Sequence, residues 1–276
     1  MNLSVIMVMV ILMKQRIISA IIALIIVIPV ILIGGYTYYV GVGILAIIGF
    51  YEMISVREKQ RKFPVVVKCL SMVSFLAIVL FTCINEKEFN LDYRILILDL
   101  FACFIPLIGI KNDKYNAEDA LFLVAITLFL GMSFRYLIIV RNIDILYLIY
   151  VLLITIMADT FAHFFGTKIG RYKLAPDISP NKTVEGMIGG LFFGTYIGTM
   201  FFITFISPAS SVLIVMVVSL MLSIVAEFGD LVFSAVKRNF GVKDYGNIMP
   251  GHGGVLDRLD SVIFAVLAFS FLISFF

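Results

Sequence analysis

Continuous apolar runs of 17 to 25 residues recur from one end of this 276-residue chain to the other. Each is long enough to cross about 30 Å of hydrocarbon as an α-helix. A closed β-barrel is the other way to span a bilayer, but its strands alternate in polarity, and these runs are apolar at consecutive positions. The expected fold class is therefore an all-α polytopic membrane protein. Hydrophobic residues make up 62% of the chain and charged ones 14%, a balance outside that of soluble domains.

About nine transmembrane helices are expected, near 17–33, 37–56, 69–84, 94–110, 118–140, 144–166, 183–206, 211–236 and 259–275. Residues 1–13 are apolar but too short to cross, and read as a short N-terminal extension to a single catalytic domain over 14–276. Nine spans place 17 of the 21 Lys and Arg residues on one set of loops and 4 (Lys87, Arg94, Arg135 and Arg141) on the other. The basic side is the cytoplasmic side. The N-terminus and two long loops, Thr167 to Lys182 and Arg238 to Arg258, are expected there. Cys69, Cys83 and Cys103 have no metal-ligand spacing and read as free buried thiols.

Ionisable residues inside apolar spans are costly and point to function. Glu227, Asp230, Ser234 and Lys237 fall three, four and three residues apart, on one stripe of a helix. That stripe is expected to face a polar cavity, or to form a salt-bridge seam with Lys237 and Arg258. Asp257, Asp260 and Ser261 add oxygen ligands at the start of the last span. Oxygen ligands without His or Cys suit a hard cation such as Mg²⁺, Mn²⁺ or Ca²⁺. "PGHGG", Pro250 to Gly254, precedes a helix start, where backbone N–H groups can hold phosphate oxygens. Asp159 and His163 share a helix face and are expected to line the same cavity. Arg171, Lys173 and Lys182 offer phosphate contacts in the loop "RYKLAPDISPNKTVEG", and Thr183 is placed to cap the following helix.

The segment "SAVKRNFGVKDYGNIMPGHGGVLDRLD", Ser234 to Asp260, closely resembles the C-terminal signature of the phosphatidate cytidylyltransferase (CDP-diacylglycerol synthase) family. The segment "SPNKTVEG", Ser179 to Gly186, resembles a second family segment, with Asn181 where a Lys is common. The resemblance is specific over 159–261. It implies transfer of CMP from CTP to phosphatidic acid, giving CDP-diacylglycerol and pyrophosphate. It implies Mg²⁺ as cofactor, with K⁺ as a second cation, and a homodimer in the inner membrane with its active site on the cytoplasmic side. Carried to matching positions, it makes Asp230, Asp257, Lys237 and Arg258 the catalytic set. Asp230, Asp257 and Asp260 become the metal ligands. Arg238, Lys243, Ser234, His252, Gly253, Gly254 and Lys182 become the substrate contacts. CTP, phosphatidic acid and the bilayer are the expected partners, and nucleic acid is not.

Two other readings stay open on the residues alone. One is a related CTP-dependent enzyme acting on an isoprenoid or ether lipid. The other is a cation-coupled transporter using Glu227 and Asp230, against which the polar residues gather at one membrane face and inverted repeats are missing.

Overall fold

The computed structural model describes residues 18, 19, 21–81, 93–248, 251 and 253–273, so the N-terminal extension and Cys83 lie outside the described residues. The chain runs α1 (Ile21–Ile33), α2 (Gly35–Glu58), α3 (Val65–Leu80), α4 (Tyr93–Phe104), α5 (Pro106–Gly109), α6 (Ala117–Ile143) and α7 (Ile145–Ile169). A hairpin of β1 (Lys173–Ala175) and β2 (Ser179–Thr183) follows, then α8 (Val184–Phe201), α9 (Val212–Asn239) and α10 (Leu256–Leu272). Five of these, α2, α6, α7, α8 with its extension to Ile206, and α9, are long and apolar enough to cross a membrane among the described residues. Large apolar side chains such as Ile25, Phe192 and Phe271 are exposed, a surface suited to lipid and not to water. The protein is an α-helical membrane protein.

Local chemistry sets the helix ends. Positive φ at Gly34 and Gly35 stops α1 and turns the chain, and Arg141 donates from Nε and Nη2 to Ile31 O, both at 3.2 Å. Asn116 and Asp119 form a reciprocal capping box at the start of α6. Buried Asp119 also binds Arg57 at 2.7 Å and Arg61 at 3.1 Å, pinning α6 to the end of α2. Asp144 leaves the helical region for a single residue and then caps α7, accepting from Leu146 N at 2.8 Å. The expected span over 94–110 is divided. It breaks at Ile105, because Pro106 lacks an N–H and opens a new turn. Buried Asp99 fastens α4, accepting from Ser74 Oγ at 2.6 Å and Thr127 Oγ1 at 2.8 Å. Cys103 is a buried free thiol as expected, whereas Cys69 is exposed on the outer face of α3.

Two features position the site. The first is the α7–α8–α9 layer. Gly186, Gly190, Gly194 and Gly198 recur every four residues on α8, all buried. A Cβ on Gly186 or Gly190 would stand 2.6 Å from the carbonyl oxygen of Ala162 or Ala158 of α7. Only glycine lets the two backbones come this close. The other edge of the stripe receives Glu227, Ser223 and Ser219 of α9, opposite Gly190, Gly194 and Gly198. The second feature is the hairpin, an addition to the all-α expectation. Lys173 pairs with Thr183 and Ala175 with Ser179, antiparallel, and Pro180 is tolerated because the two-stranded ribbon is all edge. Thr183 caps α8 as expected, accepting from Gly186 N at 3.1 Å.

Candidate active site

A cavity of about 500 Å³ opens between α7, the hairpin, α8 and α9. Asp159 and His163 of α7, Lys173, Asn181 and Lys182 of the hairpin, and Glu227 and Asp230 of α9 line it. Two of the four residues of the α9 stripe, Glu227 and Asp230, therefore face this space, and Asp159 and His163 share it, as the spacing suggested. The salt-bridge seam takes a different form from the one expected. Lys237 pairs with Asp257 instead, and a lysine from the hairpin takes Glu227 and Asp230. Lys182 reaches in from β2 and places Nζ 2.9 Å from Glu227 Oε2 and 2.8 Å from Asp230 Oδ2. Burial works against the Lys182 charge, but these two carboxylates hold its pKa above the usual lysine range. The ammonium is thus a fixed positive charge in the cavity wall. Ser234 Oγ donates to Asp230 Oδ1 at 3.3 Å, one helical turn along.

The second half of the site is the join between α9 and α10. Lys237 Nζ lies 2.7 Å from Asp257 Oδ1. Asp257 Oδ2 accepts from Tyr245 N at 2.8 Å and Gly254 N at 2.9 Å, which draws the loop between the helices back over the α10 start. Tyr245 donates its hydroxyl to Phe233 O at 2.9 Å; burial and the Asp257 and Asp260 charges push its acidity down. Asp260 sits within electrostatic reach of Asp230, Asp159 and Lys237, so acids of α7, α9 and α10 form one cluster.

Three N–H groups at the start of α10 are spent on carboxylates. Gly254 N goes to Asp257, and Val255 N and Leu256 N go to Glu52 Oε1 and Oε2, both at 2.9 Å. Three donors of the expected phosphate cradle are thereby taken from within the chain, and Gly253, at φ 86°, supplies the turn. Arg238, expected at substrate phosphates, donates from Nε to Ile178 O at 3.2 Å and from Nη1 to Val242 O at 3.0 Å. It ties the hairpin turn to the α9 end. Lys243 and Arg258 are exposed nearby, and His252 lies outside the described residues.

The donor set suits a hard cation. Asp159 lies within electrostatic reach of Glu227, Asp230 and Asp260, with Lys182 on Glu227 and Asp230 and Lys237 on Asp257. Glu227 Oε1 is buried with no hydrogen-bond partner, an acceptor in want of a donor or ion. Among the described residues, no three His, Cys, Asp or Glu side chains stand in ready coordination geometry. Ammonium groups hold the oxygens that a cation would take.

Glu52 is the residue that reading the sequence missed. It lies inside the second apolar span, in "GFYEMISV", and an acid in such a run is itself a signal.

Residues 14–276 match the cytidylyltransferase family. The phosphatidate cytidylyltransferase of Staphylococcus haemolyticus is 36% identical over 256 residues, which is 92% of this chain and 96% of that protein. The one from Staphylococcus aureus is 37% identical over 254 residues, with the same coverage. The one from Bacillus subtilis is 32% identical over 272 residues, 96% of this chain and 98% of that protein. The acidic cluster, the lysine-bridged hairpin and the glycine loop sit within the matched region, and the chain belongs to the cytidylyltransferase family.

Proposed function

We propose that the protein transfers the cytidylyl group of CTP to phosphatidic acid, releasing pyrophosphate and leaving CDP-diacylglycerol in the membrane. The observation that carries this reading is Lys182, bridging Glu227 and Asp230 in a polar cavity walled by lipid-facing helices. A polyphosphate and a lipid phosphate can meet there. An oxygen of the phosphatidic acid phosphate attacks the α-phosphorus of CTP, the bond from that phosphorus to the β-phosphate oxygen breaks, and pyrophosphate leaves. The attacking phosphate is already an anion, so the protein's task is to hold two anions in line and neutralise them. Lys182 and Lys237 contribute fixed positive charge. Lys173 in the cavity wall and the exposed Lys243 and Arg258 are this reading's further candidates for phosphate oxygens.

Asp230, Asp257 and Asp260 are the residues that would hold Mg²⁺, with K⁺ as a second cation. When bound, Mg²⁺ offsets the triphosphate charge and polarises the phosphorus under attack. The reading includes nine spans, with the N-terminus and both long loops in the cytoplasm, on the strength of the 17 to 4 split in basic residues. It also includes a homodimer in the bacterial inner membrane.

The test is purified protein with phosphatidic acid and labelled CTP, with and without EDTA, and with isoprenoid and ether-lipid phosphates in parallel. Label is expected in CDP-diacylglycerol, to vanish with EDTA and to return with Mg²⁺. Label in another acceptor alone would reassign the lipid, and no labelled lipid at all would end the proposal.

A further inference from the structure

We propose that Glu52 of α2 is a positioning residue for this reaction: it holds the start of α10, and with it Asp257 and Asp260, in working register. The inference rests on the functional reading above. Glu52 is 3% exposed and lies 203 residues from its first partner in the chain. Its two oxygens take the Val255 and Leu256 N–H groups separately, so one side chain satisfies two of the free donors at the α10 start. Its negative charge also faces the positive end of the α10 dipole. Two stretches of the loop press against the same side chain. A Cβ on Gly246 or on Gly254 would run into the Glu52 carboxylate.

The arrangement is a clasp with two carboxylates. Asp257 takes the N–H groups of Tyr245 and Gly254 from within the motif, and Glu52 takes the next two from outside it. Gly254 lies between them. Asp257, one residue beyond Leu256, can keep its bond to Lys237 only while the helix start stays where Glu52 holds it. The two donors meet different oxygens, and an amide side chain keeps an acceptor at only one of those two positions. In a site that works by alignment, a displacement of about 1 Å costs up to about 100-fold in rate.

The test uses the full chain in detergent and compares wild type with Glu52→Gln, Glu52→Asp and Val255→Pro. Val255 has φ −65° and ψ −41°, values proline accepts, so this variant removes one donor to Glu52 while keeping the helix start. Steady-state turnover of CTP and phosphatidic acid is read beside hydrogen exchange of the 245–256 amides. In Glu52→Gln, kcat is expected to fall about tenfold or more while KM for CTP changes less than about threefold. Exchange is expected to quicken in 245–256 and not elsewhere. Glu52→Asp is expected to recover part of kcat. Glu52→Gln is expected to cost less in the Val255→Pro background than in wild type, since the two changes break the same contact. A folded Glu52→Gln protein with kcat within twofold of wild type and unchanged exchange at 245–256 would overturn the proposal. So would faster exchange spread through all helices with turnover per folded molecule intact. If Glu52→Gln does not fold, Val255→Pro decides on the same readouts. An inactive wild type would instead strike the functional reading, and the exchange data would still report whether Glu52 holds the loop.

Discussion

Lys237 and Asp257 join the last two helices through one ion pair of 2.7 Å, with both side chains nearly closed to solvent. Twenty residues of chain separate them, and most of that chain is the glycine loop. The pair closes this loop as a staple would. It also sets the distance between the acids of α9 and those of α10, so charge, loop shape and the proposed chemistry depend on one contact.

Asp257→Asn separates these roles. The amide oxygen still accepts one or two bonds, but the Lys237 ammonium loses its counter-charge while buried. The expected result is loss of CDP-lipid formation beyond about 100-fold, together with a fall in stability of roughly 3–5 kcal/mol. Activity per folded molecule and the denaturation midpoint check the two parts. Asp230→Asn is expected to abolish activity with less structural damage, because Glu227 still holds Lys182.

Lys182→Met leaves Glu227 and Asp230 facing each other without a cation, and is expected to remove CTP turnover. The pH behaviour follows from the direction of its shift. A lysine whose folded pKa is raised contributes stability that is fully present below the ordinary value of 10.5 and is lost only as pH climbs through the higher folded value. The wild-type rate profile from pH 6 to about pH 9 is therefore expected to show no limb belonging to Lys182. A basic limb below pH 9 that disappears in a Lys182→Arg variant would contradict this.

Asn181→Ala is expected to be mild. Asn181 lines the cavity beside Lys182 but pairs with neither acid. A rise in KM for CTP of about threefold with kcat nearly kept is the expected result, since removing uniform binding moves KM alone. A collapse of kcat would place Asn181 among the groups that act on the reacting phosphate.

Gly190→Ala is expected to be destabilising although it replaces none of the charged groups of the site. Its Cβ would meet Ala158 O at 2.6 Å and Glu227 Oε1 at 3.0 Å. Overpacking of this kind costs roughly 1–3 kcal/mol. Thermal unfolding in detergent checks the cost. Because Glu227 must shift to make room, activity is expected to fall as well.

Much of the helical frame was legible because bilayer thickness imposes a run length that the sequence displays directly. Thr183 as a cap, and Glu227, Asp230, Ser234 and Lys237 on one stripe, followed from helical period in the same way. Pairing across distance did not follow. Nothing in periodicity says that Lys182 would bridge Glu227, 45 residues away, and Asp230 beyond it, or that Lys237 would be kept for Asp257. The hairpin escaped because each strand is too short to show alternation and β2 contains Pro180. Glu52 was readable as a charge inside an apolar run. Its task was not, because the donors it serves are backbone groups, and backbone N–H groups carry no sequence signature.

The glycine column of α8 has a consequence for traffic in the membrane. Where Gly186 and Gly190 set backbone against backbone, α7 and α8 leave no seam into which a hydrocarbon tail could wedge. Any door for the diacyl substrate must lie in another wall of the chamber, so crosslinkable lipid analogues are expected to label residues away from the α7–α8 line.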